Sequence, residues 1–321
     1  GNSLVSNTTN SNINFGIFLY TNSSNNTISN NTASLNSNNG IYLALGCSDN
    51  TLDNNNSTSN AGNGISVSDN SLNNSVTNNI MNLNGGSGLT LDSSSNNNIV
   101  NFNTADSNIL AGIYVSGSSD NSVGTNILSG TGAYGILLDS ALGNTFASNN
   151  ASFHPNGYGM FVNNSSGNIF TSNTVSLNSE GIWLQSSSDN TFSTNLINSN
   201  FYSYEDIVYS GYGIALFDSN NNSILNNLLS LNGLFDIFLD DASLALGNTF
   251  TNNTGTSNVV SLDTDNDGVL DTVDQCPSVF GKVEYNGCPL ASKVTVDLKT
   301  TDQQKSGVCG YDNKGKPLSD C

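Results

Sequence analysis

Asn144-Thr145-Phe146-Ala147-Ser148-Asn149 states the rule of this chain: Asn, any residue, an apolar residue, two small residues, Asn. The pattern recurs at Asn2, Asn26, Asn50, Asn74, Asn97, Asn121, Asn144, Asn168, Asn190, Asn222 and Asn248, with an apolar residue two places after each. Up to Asn190 the spacing is about 22 to 24 residues, a period typical of solenoids. About 14 residues beyond most anchors stands a second mark, Gly-apolar-x-apolar, as in Gly112-Ile113-Tyr114-Val115 and Gly181-Ile182-Trp183-Leu184. In such a triplet the outer members point to one side and the middle one to the other, as in a short strand. Two inward residues cannot bury themselves, so coils must stack, placing Ile113 between Leu89 and Ile136 in a parallel array. Phe146, Phe170 and Phe192 then form an aromatic ladder. The Asn five places after each anchor (Asn7, Asn31, Asn55, Asn79, Asn126, Asn149 and onward) form an amide ladder. No window shows helical periodicity, and Asn, Ser and Gly at this density are poor helix formers.

These repeats resemble those of the right-handed parallel β-helix proteins, the NosD-like and pectate-lyase-like superfamily, over about residues 1 to 260. The resemblance implies an all-β, right-handed parallel β-helix of about 11 coils. It leaves function open, because one fold hosts many activities. The expected division is 1–262 solenoid, 263–289 calcium-binding repeat and 290–321 a C-terminal strand and disulfide tail.

Charge narrows the partners. The formal net charge is −19, with 25 acidic residues against 6 basic ones, all Lys and all from Lys282 onward. Nucleic acid and anionic membrane surfaces are excluded as partners for want of clustered cations. No apolar run is long enough to span a bilayer. The chain starts at Gly1 already inside a coil, which reads as a mature fragment or as a chain whose signal peptide has been removed. Sequons at Asn7, Asn22, Asn25, Asn30, Asn55, Asn150, Asn163, Asn221 and Asn252 point to a secreted, extracellular or cell-surface glycoprotein.

The coil after Asn190 is longer, with 32 residues before Asn222. Its excess is an aromatic, acidic loop at residues 201–212. Reading the middle residue of each Gly-apolar-x-apolar strand gives an outward column that turns apolar from Tyr114 through Leu137, Phe161 and Trp183 to Phe238. A contiguous outer stripe marks an interface. It could pack on a second rod, stack on sugar rings or lie under the chain's own tail. A protein contact, with a second copy or the tail, is the favoured reading, because few carboxamides or cations flank the stripe.

From Asp263 the sequence changes to an oxygen-ligand pattern. Asp263, Asp265, Asp267, Asp271 and Asp274 stand at positions 1, 3, 5, 9 and 12 of a loop with Gly268 at position 6, and Val269 supplies a carbonyl at position 7. The stretch resembles one thrombospondin type 3 repeat and implies structural Ca2+. The tail strand carries Val294, Val296 and Leu298 on one face, assigned to subunit docking. Cys276 with Cys288, and Cys309 with Cys321, are the local disulfide pairs expected in an oxidising compartment. Cys47 is left over as a small core residue.

Catalysis is not expected from these residues. The rod lacks a Lys or Arg base and the Gly-His-Gly and Arg-x-Lys signatures of polygalacturonase-like hydrolases. Asp218 and Asp241, one coil apart, are the nearest to a carboxylate pair. His154 reads as a surface turn residue, and a copper site lacks His and Met ligands. The resulting expectation is a non-enzymatic subunit of an extracellular filament, sheath or surface layer, a homopolymer joined through rod ends and tail. A cell-surface carbohydrate-binding or carbohydrate-processing β-helix, with surface glycans as partners, is the alternative.

Overall fold

The computed structural model describes residues 1–255 apart from 131, 205, 206, 245 and 246, together with 275, 276, 278, 279 and 288. The Asp263–Asp274 loop with Val269, the strand residues Val294, Val296 and Leu298, and the Cys309–Cys321 pair lie outside the described residues. Cys276 and Cys288 are joined by a disulfide.

The chain winds into an all-β, right-handed parallel solenoid of about ten turns. Eleven strands stack into one sheet, which we call the anchor sheet because each strand follows an anchor Asn. Ten strands of the Gly-apolar-x-apolar type form the glycine sheet, and five form a third sheet along the later coils. Ile113 pairs with Leu89 on one side and Ile136 on the other, as the stacking argument requires. The only described helix is the single turn Asp241–Leu244.

Amide ladders carry the corners. Asn149 donates from Nδ2 to Asn173 Oδ1 (3.1 Å) and to the Val123 carbonyl (2.9 Å), and its own Oδ1 accepts from Asn126 N (3.1 Å) and Nδ2 (2.9 Å). Each amide thus satisfies backbone groups that a tight turn would leave buried and unpaired. The anchor Asn residues form a ladder of the same kind. A third ladder, ten residues after the anchors, runs through Asn36, Asn60 and Asn84 to Asn108 and resumes from His154 to Asn178, Asn200 and Asn232.

Two assignments made from the sequence are corrected. The anchor of the fifth coil is Asn98, which accepts from Asn74, and not Asn97; Val100 points inward while Ile99 is exposed. His154 is fully buried and takes an Asn position in the third ladder, with Nε2 3.0 Å from the Leu128 carbonyl.

Inside the rod the three phenylalanines are fully buried and stacked, Phe146 on Phe170 at 5.0 Å and Phe170 on Phe192 at 4.5 Å. Cys47 is buried, its thiol directed to the Ala44 carbonyl. The glycine that opens each glycine-sheet strand has a steric reason. A Cβ on Gly112 would stand 2.7 Å from the Gly135 carbonyl oxygen and 2.8 Å from Leu128 Cβ, too close for any side chain.

Asn55, counted among the glycan acceptors, is corrected too. It is a buried ladder residue whose amide donates to Asn79 Oδ1 and the Ile28 carbonyl, so the folded rod closes it to modification. Asn22, Asn25, Asn30, Asn221 and Asn252 are exposed at corners.

Candidate functional site

The outer face of the glycine sheet carries a cluster of aromatic rings. Parallel register places Tyr114, Leu137, Phe161 and Trp183 in one outward column, each half-buried. The column continues through Ala215 to Phe238, both buried beneath larger neighbours. Phe217 stacks on Trp183 at 4.3 Å, and Tyr212 and Phe217 flank Phe238 at 5.0 and 5.3 Å. On the other side Tyr158 meets Trp183 edge-on at 5.7 Å and stacks on Tyr134 at 5.6 Å. The result is a platform of aromatic rings rather than one stripe.

Two polar rows border the platform. One lies a residue beyond each strand's second inward side chain and reads Ser116, Asp139, Asn163, Gln185 in register. Asn163 Nδ2 donates to Asp139 Oδ1 at 2.9 Å, which links neighbours along the row. Asn163 and Gln185 are thus the carboxamides beside the stripe, next to Trp183 where the rings gather. The other row runs Tyr134, Tyr158, Glu180, and Tyr212 follows one coil later. Glu180 is buried, and its Oε2 accepts the Tyr212 N–H at 2.8 Å. Burial, and next the Glu180 charge, push the phenols of Tyr158 and Tyr212 above the usual tyrosine range, so both stay protonated donors near neutral pH.

Glu180 was not singled out in the sequence. Its place at the head of a glycine-sheet strand is held by Ala111, Tyr134 and Tyr158 in the preceding coils. Its partner Tyr212 lies across the long insertion. That insertion forms a two-stranded antiparallel hairpin, Tyr202–Tyr204 with Ile207–Ser210, leading directly into the strand under Trp183. Of the carboxylates singled out, Asp218 is exposed and the side chain of Asp241 lies outside the described residues. Asp240 accepts the N–H groups of Asp218 (3.0 Å) and Ser243 (2.8 Å) and so caps the short helix.

Family models match two overlapping stretches of the chain. One is described as a right-handed β-helix region and covers residues 1–128, and the other, described as periplasmic copper-binding protein (NosD), covers residues 84–232. The chain is a parallel β-helix repeat protein. No curated protein matches it.

Solved structures resemble this β-helix at the level of the fold. The Azotobacter vinelandii mannuronan C-5 epimerase AlgE6 A-module aligns with a TM-score of 0.56 at 12% identity, over 79% of this chain and 81% of that one. The periplasmic alginate epimerase AlgG aligns at 0.52 and 17%, over 72% of this chain and 50% of its own. The enzymatically active domain of tailspike protein 2 from bacteriophage CBA120 aligns at 0.51 and 13%, over 69% and 38%. The β-helix therefore spans about half the length of AlgG. These neighbours overturn the exclusion of catalysis drawn from the sequence. All three are enzymes by name, so the fold itself does not exclude catalysis.

Copper does not fit the described donors of this β-helix. Among the described residues no three His, Cys, Asp or Glu side chains gather as a metal site. His154 is spent on the Leu128 carbonyl, and Met81 and Met160 are fully buried in the core. No described helix is long and apolar enough to cross a membrane.

Proposed function

We propose that this protein is a carbohydrate-active enzyme of the extracellular space or cell envelope that holds an uncharged polysaccharide on the glycine-sheet platform. The observation that carries the reading is the juxtaposition of Trp183 and Phe217, stacked at 4.3 Å, with a carboxamide row on one side and the buried Glu180 carboxylate on the other. Sugar rings present apolar faces and equatorial hydroxyls together. Aromatic faces take the first, while Asn163, Gln185, Glu180 and the phenols of Tyr158 and Tyr212 take the second. Glu180 is assigned as the proton carrier of the platform, because its carboxylate accepts the N–H of Tyr212, whose ring meets Trp183 edge-on at 6.0 Å.

Charge selects the polymer. No Lys or Arg precedes residue 282, and the one His of the rod is buried, so a polyanion would meet an acidic surface without a counter-charge. The reading therefore takes from the epimerases the chemistry of acting on a polysaccharide and not the anionic substrate in their names. Their names, and the periplasmic labels of NosD and AlgG, support the envelope or extracellular setting. A filament subunit joined through rod ends and tail is the weaker reading, because the solved structures that share this fold are named as polysaccharide-acting enzymes and tailspikes.

Trp183→Ala is expected to weaken retention in gels cast with uncharged polysaccharides by about tenfold, since aromatic stacking contributes roughly 0.5–1.5 kcal/mol beyond the apolar area it buries. Affinity electrophoresis against hydroxyethyl cellulose, galactomannan and xyloglucan, with alginate as the charged control, measures it. Retention on alginate alone, untouched by Trp183→Ala, would sink the assignment.

A further inference from the structure

A second cluster of rings lies on the same face, toward the first coils. Phe18 and Tyr42 are neighbours in the outward column and stack at 5.2 Å with planes 10° apart. Phe15 lies 4.9 Å from each of them, and Tyr20 lies 5.1 Å from Phe18. Phe18 and Tyr20 are exposed. Nothing in the core requires these rings, because the inward positions of the same strands are Ile17, Leu19, Ile41 and Leu43.

Between the clusters the column drops to small polar residues, Ser66 and Thr90, both buried at its floor. The polar row continues alongside them through Ser68 and Asp92. The Tyr42 phenol meets the Ser68 side chain, and Asp92 Oδ1 is buried with no hydrogen-bond partner among the described residues. The face is thus a lane with rings at both ends, a low polar floor between and unsatisfied acceptor capacity along one edge. Six strand spacings separate Tyr42 from Trp183, roughly 29 Å at about 4.8 Å each. One spacing is close to the length of one pyranose unit in an extended glycan, so a strand lying along the lane passes about one sugar per coil.

We propose that Phe15, Phe18, Tyr20 and Tyr42 form a second stacking platform for the glycan strand held at Trp183, so that the protein takes a long polymer lying parallel to the rod axis. The inference rests on the polysaccharide reading of the Trp183 platform. A strand that engages both ends makes its second contact intramolecularly, and its retention then exceeds that of either platform alone by a hundredfold or so.

The test compares the whole chain with Tyr42→Ala, Phe18→Ser and Trp183→Ala in gels containing hydroxyethyl cellulose, galactomannan or xyloglucan. Tyr42 and Phe18 stand on the outer face, so an unchanged melting temperature certifies the fold of both variants. The expected result is that each of the two lowers retention by about tenfold, as Trp183→Ala does. Retention lost with Trp183→Ala but unchanged by Tyr42→Ala and Phe18→Ser overturns the second platform and leaves the first standing. Absence of retention of the unmodified chain in every gel overturns both. A dimer in sedimentation that Tyr42→Ala dissociates, with retention unchanged, assigns the rings to a second copy of the chain and also overturns the proposal.

Discussion

Replacing Asn149 by alanine is expected to destabilise the rod by about 4 kcal/mol, because each buried group left without its partner costs about 1–3 kcal/mol. The substitution strands the Asn126 N–H and one of its two Nδ2 hydrogens, the other staying on the Val100 carbonyl, and leaves the Val123 carbonyl without the Asn149 amide. Water cannot replace them, since Asn126 and Asn149 are both about 1% exposed. Thr51→Ala, on an exposed outward position of the anchor sheet, is the matched control and should stay within about 0.5 kcal/mol. Denaturant unfolding followed by circular dichroism measures both. Equal midpoints for the two variants would mean that the amide ladder does not hold the corners.

Phe170→Ala should cost a similar amount, about 3–5 kcal/mol, from lost transfer energy plus the cavity left behind. The ring is sandwiched between Phe146 and Phe192 with planes 9° and 2° from parallel, so both stacking partners lose their contact together. Phe170→Leu refills most of the volume and is expected to cost less than about 1.5 kcal/mol. A loss equal to that of alanine would show that aromatic stacking, rather than filled volume, sets the strength of this column.

The solenoid was legible in the sequence because the same physical demand recurs in every coil. An amide must satisfy each corner, and one apolar side chain must fill each layer, so Asn and its apolar follower repeat at a fixed period. Legibility failed where two residues could meet the demand equally well. Asn96, Asn97 and Asn98 are consecutive, and Ile99 and Val100 are both apolar. Only the bond from Asn74 to Asn98 Oδ1 decides the register. That slip also hid Asn103, because five places after Asn97 stands Phe102, an exposed corner residue. His154 escaped for the opposite reason, standing, like Thr131 one coil earlier, as a departure from an Asn column that had not been read.

The candidate site was half legible. Reading the middle residue of each glycine-sheet strand gave the Tyr114 to Trp183 column correctly. The rows on either side, Asp139 with Asn163 and Gln185, and Tyr158 with Glu180, lie at strand ends outside that triplet. Glu180 gains its meaning only from Tyr212, 32 residues later, after the hairpin insertion has been looped out. Position along the chain does not show that closeness. Stacking of coils does.

The central claim is that Glu180 acts on a polysaccharide held at the Trp183 platform. The most direct measurement is turnover of hydroxyethyl cellulose, galactomannan and xyloglucan by the unmodified chain and by Glu180→Gln, following viscosity and the nuclear magnetic resonance spectrum of the polymer. Glutamine keeps an oxygen for the Tyr212 N–H but carries no exchangeable carboxyl proton. The unmodified chain is expected to alter at least one uncharged polymer, and Glu180→Gln to do so about a hundredfold more slowly or worse while being retained by it equally well. Turnover at the unmodified rate by Glu180→Gln, or a polymer panel left unchanged by the unmodified chain, would contradict the claim.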